Sequence, residues 1–277
     1  MEAWQIALIV GGAVVLALLG LWLFLIAPRR LRRERLAPFL RPYAHRGLWN
    51  GTDAPENSLE AFDRAAAAGF AIELDIQLSK DGVVMVFHDS TLARMCGREG
   101  LVCEHTADEL GAMRLGNSES HIPTFAEVLA TVAGRVPLLV ELKGENFSTD
   151  LVPAALAVLK DYKGAWCMES FNPLLLRAVR KHAPDAVRGL LVTNLIKDKN
   201  KGNKVRNFAL GALLLNFLCR PHFIAWNQKY PNSLSRLVAT RVLGAGSMCY
   251  TVKNESEYRR HLDRGTYPIF DEFTPKA

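Results

Sequence analysis

Between Tyr43 and Arg94 the sequence sets two histidines, several acids and an arginine among glycine-marked turns: His45-Arg46-Gly47, Pro55-Glu56-Asn57, Glu73-Leu74-Asp75, Asp81-Gly82 and His88-Asp89. These residue types suit metal-assisted attack on a phosphate ester. Imidazoles shuttle protons near neutral pH, carboxylates hold a hard cation, and a guanidinium matches phosphate oxygens. Singly, each motif is ordinary. A lone histidine at a strand end is usually structural, and two acids one residue apart can form the polar face of a half-buried strand. The ordered set points to a site, with His45 and His88 as the acid/base pair. Glu141 would add a third hard oxygen donor to Glu73 and Asp75, a set suited to Ca²⁺ or Mg²⁺ and not to zinc. Lys143, on the same strand face as Glu141, would bring positive charge to a phosphate.

These residues need a frame that gathers strand ends. Strand-like runs fall at Pro42–His45, Ala71–Gln77, Val83–His88, Leu138–Leu142, Trp166–Ser170, Val187–Val192, Phe223–Trp226, Met248–Val252 and Pro268–Asp271. Helix-like stretches separate most of them: Ser58–Ala68, Thr124–Ala133, Asp150–Tyr162, Pro173–His182, Val205–Leu218, Ser233–Leu243 and Ser256–Arg264. The alternation predicts parallel strands joined by helices. One connection breaks it. Between Asp75 and His88 there is no room for a crossover helix, and Asp81-Gly82 is a hairpin signal. With Asp81 and Gly82 as a two-residue loop, Lys80 faces Val83 and Asp75 stands opposite His88, on the face shared with Glu73. Counting that return as an excursion leaves eight parallel strands, the number of a TIM (β/α)₈ barrel, with the candidate groups at its carboxyl end. A doubly wound sheet is the alternative.

The first part of the 277-residue chain reads differently. Ile6 to Ala27 carries no charge, and at about 1.5 Å per residue it reaches roughly 33 Å, enough for a hydrocarbon core of about 30 Å. A cleaved signal peptide would want a basic start and a shorter apolar run than this one, which follows Met-Glu-Ala-Trp and leads straight into Pro28-Arg29-Arg30. The expectation is a retained single span, with residues 1–28 as anchor, 29–40 as a basic juxtamembrane linker and 41–277 as the barrel domain. Arg29 to Arg35 after the span put the amino terminus outside and the barrel in the cytoplasm by the positive-inside rule, with the arginines on anionic headgroups. The net charge of +6 owes much to this cluster and to Lys197–Arg206, so nucleic-acid binding has no special support. The five cysteines show no metal spacing and read as reduced thiols. The basic Lys197–Arg206 and the apolar run after it could lie on a bilayer; the plainer reading is a barrel helix packed on the sheet behind a solvated loop.

The series HRG, PEN, ELD, DG and FHD closely resembles the glycerophosphodiester phosphodiesterase family. So do Ile122-Pro123-Thr124-Phe125, Glu141-Leu142-Lys143, Glu169-Ser170-Phe171-Asn172 and Tyr250-Thr251-Val252, so that the likeness runs from about Pro42 to Glu272. The resemblance implies a TIM-barrel hydrolase cleaving glycerophosphodiesters to glycerol 3-phosphate and an alcohol. It implies His45 and His88 as general acid and base, Glu73, Asp75 and Glu141 as ligands to the divalent cation, and Arg46 and Lys143 as phosphate contacts. The glycerol 2-hydroxyl would attack phosphorus, and water would then open a cyclic phosphate. Two carboxyl-terminal stretches depart from the family: Tyr250-Thr251-Val252-Lys253 stands where Trp-Thr-Val-Asn is usual, and Phe270-Asp271-Glu272-Phe273 where Thr-Asp-x-Pro is. Both concern the leaving group more than the chemistry, and Tyr250 still supplies an aromatic wall to the substrate. The anchor makes a lysophospholipid a second substrate class to weigh, and a barrel without turnover, acting as a membrane-bound scaffold, is the remaining alternative.

Overall fold

The computed structural model describes residues 2–144, 148–200 and 202–276. Nine strands form one sheet: β1 Tyr43–His45, β2 Ala71–Leu78, β3 Val84–Val86, β4 Leu138–Leu142, β5 Trp166–Ser170, β6 Arg188–Val192, β7 Phe223–Asn227, β8 Gly246–Val252 and β9 Tyr267–Phe270. All neighbours except β2 and β3 are parallel, and β1 pairs with both β2 and β9. The sheet therefore closes into the expected eight-stranded barrel, with β3 as an antiparallel excursion from β2. Alternation sorts the strand residues. Ile72, Leu74, Val140, Met168 and Ile224 point out to the helices, while Tyr43, Leu139, Cys167, Phe223 and Met248 fill the lumen. A Cβ on Gly189 would intrude on the Phe223 ring, so that ring claims the space.

Local chemistry starts the helices where the sequence predicts. Ser58 accepts from the Ala61 amide ahead of Leu59–Ala67, Thr124 and Glu127 close a capping box on Phe125–Val132, and Asn172 with Pro173 opens Pro173–His182. Residues 87–122, between β3 and β4, build a satellite core from Phe87, Leu92, Val102, Leu110, Met113, Leu115 and Ile122 over Met85.

The structure corrects two expectations. In the hairpin, Ile76 pairs with Val86 and Leu78 with Val84, so the register is displaced by one residue and Asp75 lies opposite Phe87. A two-residue turn of the expected kind needs positive φ at both central residues; only Gly82 has it, and Ser79 pairs with Val83 across a three-residue loop. Second, the expected helix Val205–Leu218 is two pieces, Lys204–Gly211 and Asn216–Cys219, parted at Leu213 with φ of 60°. The basic segment 29–40 packs on the barrel. Leu36, Phe39 and Leu40 close the amino-terminal end of the lumen under Tyr43, Phe223 and Met248. Arg29, Arg30 and Arg35 donate to the carbonyls of Pro184, Leu243 and Asp185 in turns that lead into strands.

The helix Ala3–Ile26 is long and apolar enough to cross a membrane, and it stands clear of the barrel until its carboxyl-terminal end, where Trp22 packs against the core. There Ile26 is fully buried. Asn216 donates to the Ile26 carbonyl at 2.9 Å, and Arg220 donates to those of Phe24 and Ala27, supplying the partners a helix end lacks.

Candidate active site

The barrel's carboxyl-terminal mouth gathers the acids through strand register. His45 lies beside Glu73 across β1 and β2. Asp75, Glu141 and Glu169 stand in a row across β2, β4 and β5. Their side chains point inward, above the apolar layers of the lumen, and all four acids are buried. Oxygens of Glu73, Asp75 and Glu141 lie within 4.8 Å of one another. Lys143 reaches into the row, its Nζ 2.8 Å from both Asp75 Oδ1 and Glu141 Oε1.

Burial pushes Glu73 well above the usual carboxyl range, with Asp75, Glu141 and Glu169 adding repulsion. Burial likewise raises Glu169, and takes Glu141 up to about 7 while Lys143 pulls against it. Asp75 goes the other way: Lys143, His88, Arg46 and His45 together outweigh its burial and hold it below the ordinary range. Four clustered carboxyls cannot all ionise against a single lysine and a shared arginine. Among the described residues, the buried Glu73 Oε1 and Glu169 Oε2 have no hydrogen-bond partner. A hard divalent cation fits this all-oxygen set, and Glu73, Asp75 and Glu141 are the residues that would hold it.

Two histidine–aspartate pairs flank the acids. His45 Nδ1 lies 3.1 Å from Asp271 Oδ2, which follows β9, and its Nε2 is 4.0 Å from Glu73 Oε2. His88 Nδ1 lies 2.6 Å from Asp89 Oδ1. Each aspartate fixes one ring nitrogen and leaves Nε2 for proton exchange. Burial lowers the His88 pKa, with Lys143 and Arg46 opposing its protonation and Asp75 favouring it. His88 does not reach Asp75 by facing it across the hairpin. The ladder stops at Val86, and Gln77 Nε2 holds the turn beyond by donating to the Phe87 and Asp89 carbonyls, each at 2.8 Å.

Arg46 sits at φ 59°, which aims its amide at Glu73 Oε2, 3.0 Å away. Its guanidinium contacts Glu56 at 2.7 Å and Asp75 at 3.4 Å. Asn57 donates to Asp75 at 2.8 Å. Arg94 bridges Glu56 and Asp89, joining the His88 side of the mouth to the Arg46 side. Tyr250 lines the wall, edge-on to Phe171 at 5.9 Å, with its hydroxyl donating to the Val192 carbonyl. All eight residues singled out in the sequence thus stand at the mouth. Of its supporting residues, Asp89, Glu169 and Asp271 stand inside quoted motifs without a role, and Gln77 does not stand out at all. Inward alternation from Cys167 would have found Glu169. Asp271 pairs with His45 only through barrel closure, and Arg94 closes the motif-bearing run without a role read for it.

The profile of the glycerophosphoryl diester phosphodiesterase family matches residues 45–275. A glycerophosphodiester phosphodiesterase of Caldanaerobacter subterraneus is 35% identical over 159 residues, which cover 53% of this chain and 65% of that relative. The match to the YhdW protein of Bacillus subtilis covers 44% of it, so the chain spans less than two thirds of the length of these curated relatives. A second Bacillus subtilis relative is 25% identical across 92% of both chains. Among solved structures, the Thermotoga maritima glycerophosphodiester phosphodiesterase superposes with a TM-score of 0.63 at 26% identity, covering 84% of this chain and 95% of that one. A phosphodiesterase of Oleispira antarctica, solved with its product sn-glycerol-3-phosphate, shares the fold at a TM-score of 0.68 and 24% identity, covering 83% of this chain and 92% of that one. With the family profile running from His45 at the end of the first strand past the end of the last, the chain belongs to the glycerophosphoryl diester phosphodiesterase family.

Proposed function

We propose that the chain hydrolyses glycerophosphodiesters to glycerol 3-phosphate and an alcohol, through His45 and His88 acting as general base and acid. One observation carries this reading: two aspartate-held imidazoles flank a buried carboxylate cluster at the mouth of the barrel. One Nε2 takes the proton of the glycerol 2-hydroxyl as its oxygen attacks phosphorus, and the other protonates the departing alkoxide. The roles then reverse: water attacks the cyclic phosphate, giving up its proton, and the 2-hydroxyl is restored. The intramolecular nucleophile gains from proximity, which is worth several powers of ten when the geometry is fixed. Positive charge from Lys143 and Arg46 faces the charge that builds on the phosphoryl oxygens. A divalent cation, Ca²⁺ or Mg²⁺, held by Glu73, Asp75 and Glu141 would supply further electrostatic stabilisation there.

Tyr250 and Phe171 form an apolar wall for the leaving group in this reading. The helix Ala3–Ile26 is the membrane anchor, with its amino terminus outside and the barrel in the cytoplasm. Its last turn supports retention, since Ile26 is part of the barrel's packing. The anchor also favours lysophospholipids as a second substrate class. Product analysis tests the reading: the full-length protein should release glycerol 3-phosphate from glycerophosphocholine in the presence of Mg²⁺ or Ca²⁺. Turnover that survives both His45→Ala and His88→Ala would sink the acid/base assignment.

A further inference from the structure

Among the described residues outside the amino-terminal helix, five large apolar side chains are more than half exposed: Ile196, Val205, Phe208, Leu234 and Val242, at 51 to 76%. All five lie on two adjacent connections, β6–β7 and β7–β8. The same two connections receive the end of the helix, through Asn216 and Arg220 from the first and through Leu243, which binds Arg30, from the second. The exposed side chains run along this flank from the mouth, where Ile196 and Leu234 follow β6 and β7, to the floor, where Val242 precedes β8. Single exposed apolar residues are ordinary; five confined to one sector beside an anchor are not. Charge points the same way. Asp198 is the only acidic residue in the sequence from Thr193 to Ala245, a stretch that carries Lys197, Lys199, Lys204, Arg206 and Lys229. Asp198 itself is occupied, accepting from Thr193 and Tyr230.

We infer that this flank lies on the anionic surface of the bilayer that holds the anchor, so that the barrel reclines and its mouth opens at headgroup level. The inference rests on reading Ala3–Ile26 as the membrane span. A surface pairing exposed apolar side chains with unopposed lysines is what an interfacial segment requires. The arrangement also gives a use to a groove of 450 Å³ between the flank and the mouth, lined by Val192, Ile196, Phe208, Trp226 and Leu234 among others. Tyr250 bonds the Val192 carbonyl at its edge. A diester that keeps an acyl chain would thus meet the mouth without leaving the interface.

The test uses the full-length chain with Cys96 and Cys103 replaced by serine, carrying an environment-sensitive fluorophore at Phe208→Cys, or at Leu101→Cys as control. Leu101 belongs to the excursion beside β2, which stands across the barrel from β7. The proteins are reconstituted in vesicles of phosphatidylcholine and phosphatidylglycerol, with doxyl-labelled phosphatidylcholine as quencher. Circular dichroism spectra and unfolding temperatures that match the unlabelled protein show that both are folded. The expected result is loss of emission at position 208 and none at position 101. Flotation with the vesicles but equal emission at the two positions overturns the flank contact and leaves the anchor standing. Failure to float with the vesicles overturns both. A fluorophore at 208 that is shielded yet unquenched, in a dimeric protein, assigns the flank to a second copy of the chain and overturns the bilayer contact.

Discussion

The two ends of the barrel bury charge to opposite effect. At the floor the charges are positive: Arg188 is fully buried, donating to the carbonyls of Cys219 and Ala186, and Arg29, Arg30 and Arg35 bond further backbone carbonyls. Burial and the neighbouring Arg188 and Arg29 take His222 down to about 3, so it stays neutral, accepting from the Arg188 amide. This is charge used to tie chain to chain. At the mouth the charges are negative and crowded, with oxygens of Glu73 and Glu169 left without partners among the described residues. A fold tolerates such a cluster where something outside the chain completes it. At the floor the chain's own carbonyls take up most of the charge, although Arg188 Nη2 is left over; at the mouth a bound cation would take up the charge of the acids.

The largest effect that separates the two ends is catalytic. His45→Ala and His88→Ala should each lower kcat/KM for glycerophosphocholine by about 10²–10⁴-fold, the usual contribution of a positioned acid or base, with no matching loss of thermal stability. Equal falls in both quantities would make the histidines structural.

The second effect is linkage in the metal-free protein. Glu141 has a folded pKa of about 7 against an ordinary 4.5. Between those values the folded state keeps a proton that the unfolded chain has released, so stability must fall as pH rises across that window, and the raised Glu73 and Glu169 carry the decline further. On the order of 3 kcal/mol is at stake for this group. Asp75, held low, acts below the window. Thermal unfolding in chelator should show the decline, and added Mg²⁺ or Ca²⁺ should raise Tm more at pH 8 than at pH 5, because ligands bind the ion deprotonated. A Tm gain independent of pH would place the ion elsewhere.

Third, Asp271→Asn removes a charge-assisted hydrogen bond to His45, worth about 1.5–3 kcal/mol, so kcat should fall roughly 10- to 100-fold. Its pH profile should shift with it while KM stays near the wild-type value. The smallest effect belongs to the floor. A Cβ on Gly246 would stand 2.7 Å from Leu40 Cδ2 and 2.9 Å from Phe223 Cβ. Gly246→Ala should therefore cost about 1–3 kcal/mol of stability by overpacking, with kcat/KM unchanged.

The same contrast marks how far the sequence can be read. Strand positions were legible because a buried parallel barrel writes continuous apolar runs, and Glu73, Asp75 and Glu141 stand out as interruptions of those runs. Asp81-Gly82 announced the hairpin, but register depended on one backbone angle, since Asp81 does not take the positive φ that a two-residue turn demands. His88 therefore reaches the site through a turn held by Gln77, a contact that no spacing rule supplies. Asp271 and His45 are far apart in the chain and meet through β9 pairing with β1. The floor was hidden for a different reason: Arg29 to Arg35 look like a solvated charge run until the carbonyls of Pro184 and Leu243 are there to receive them. Lys201, within the basic segment read as a solvated loop, lies outside the described residues.

One measurement tests the central claim most directly: release of glycerol 3-phosphate from glycerophosphocholine by the full-length protein, followed in Mg²⁺ or Ca²⁺, in excess chelator, and after the metal is restored. Turnover is expected with the ion, lost on chelation and regained on restoration, with His45→Ala and His88→Ala near background throughout. Full turnover in chelator, or unreduced turnover by either histidine variant, would contradict the claim.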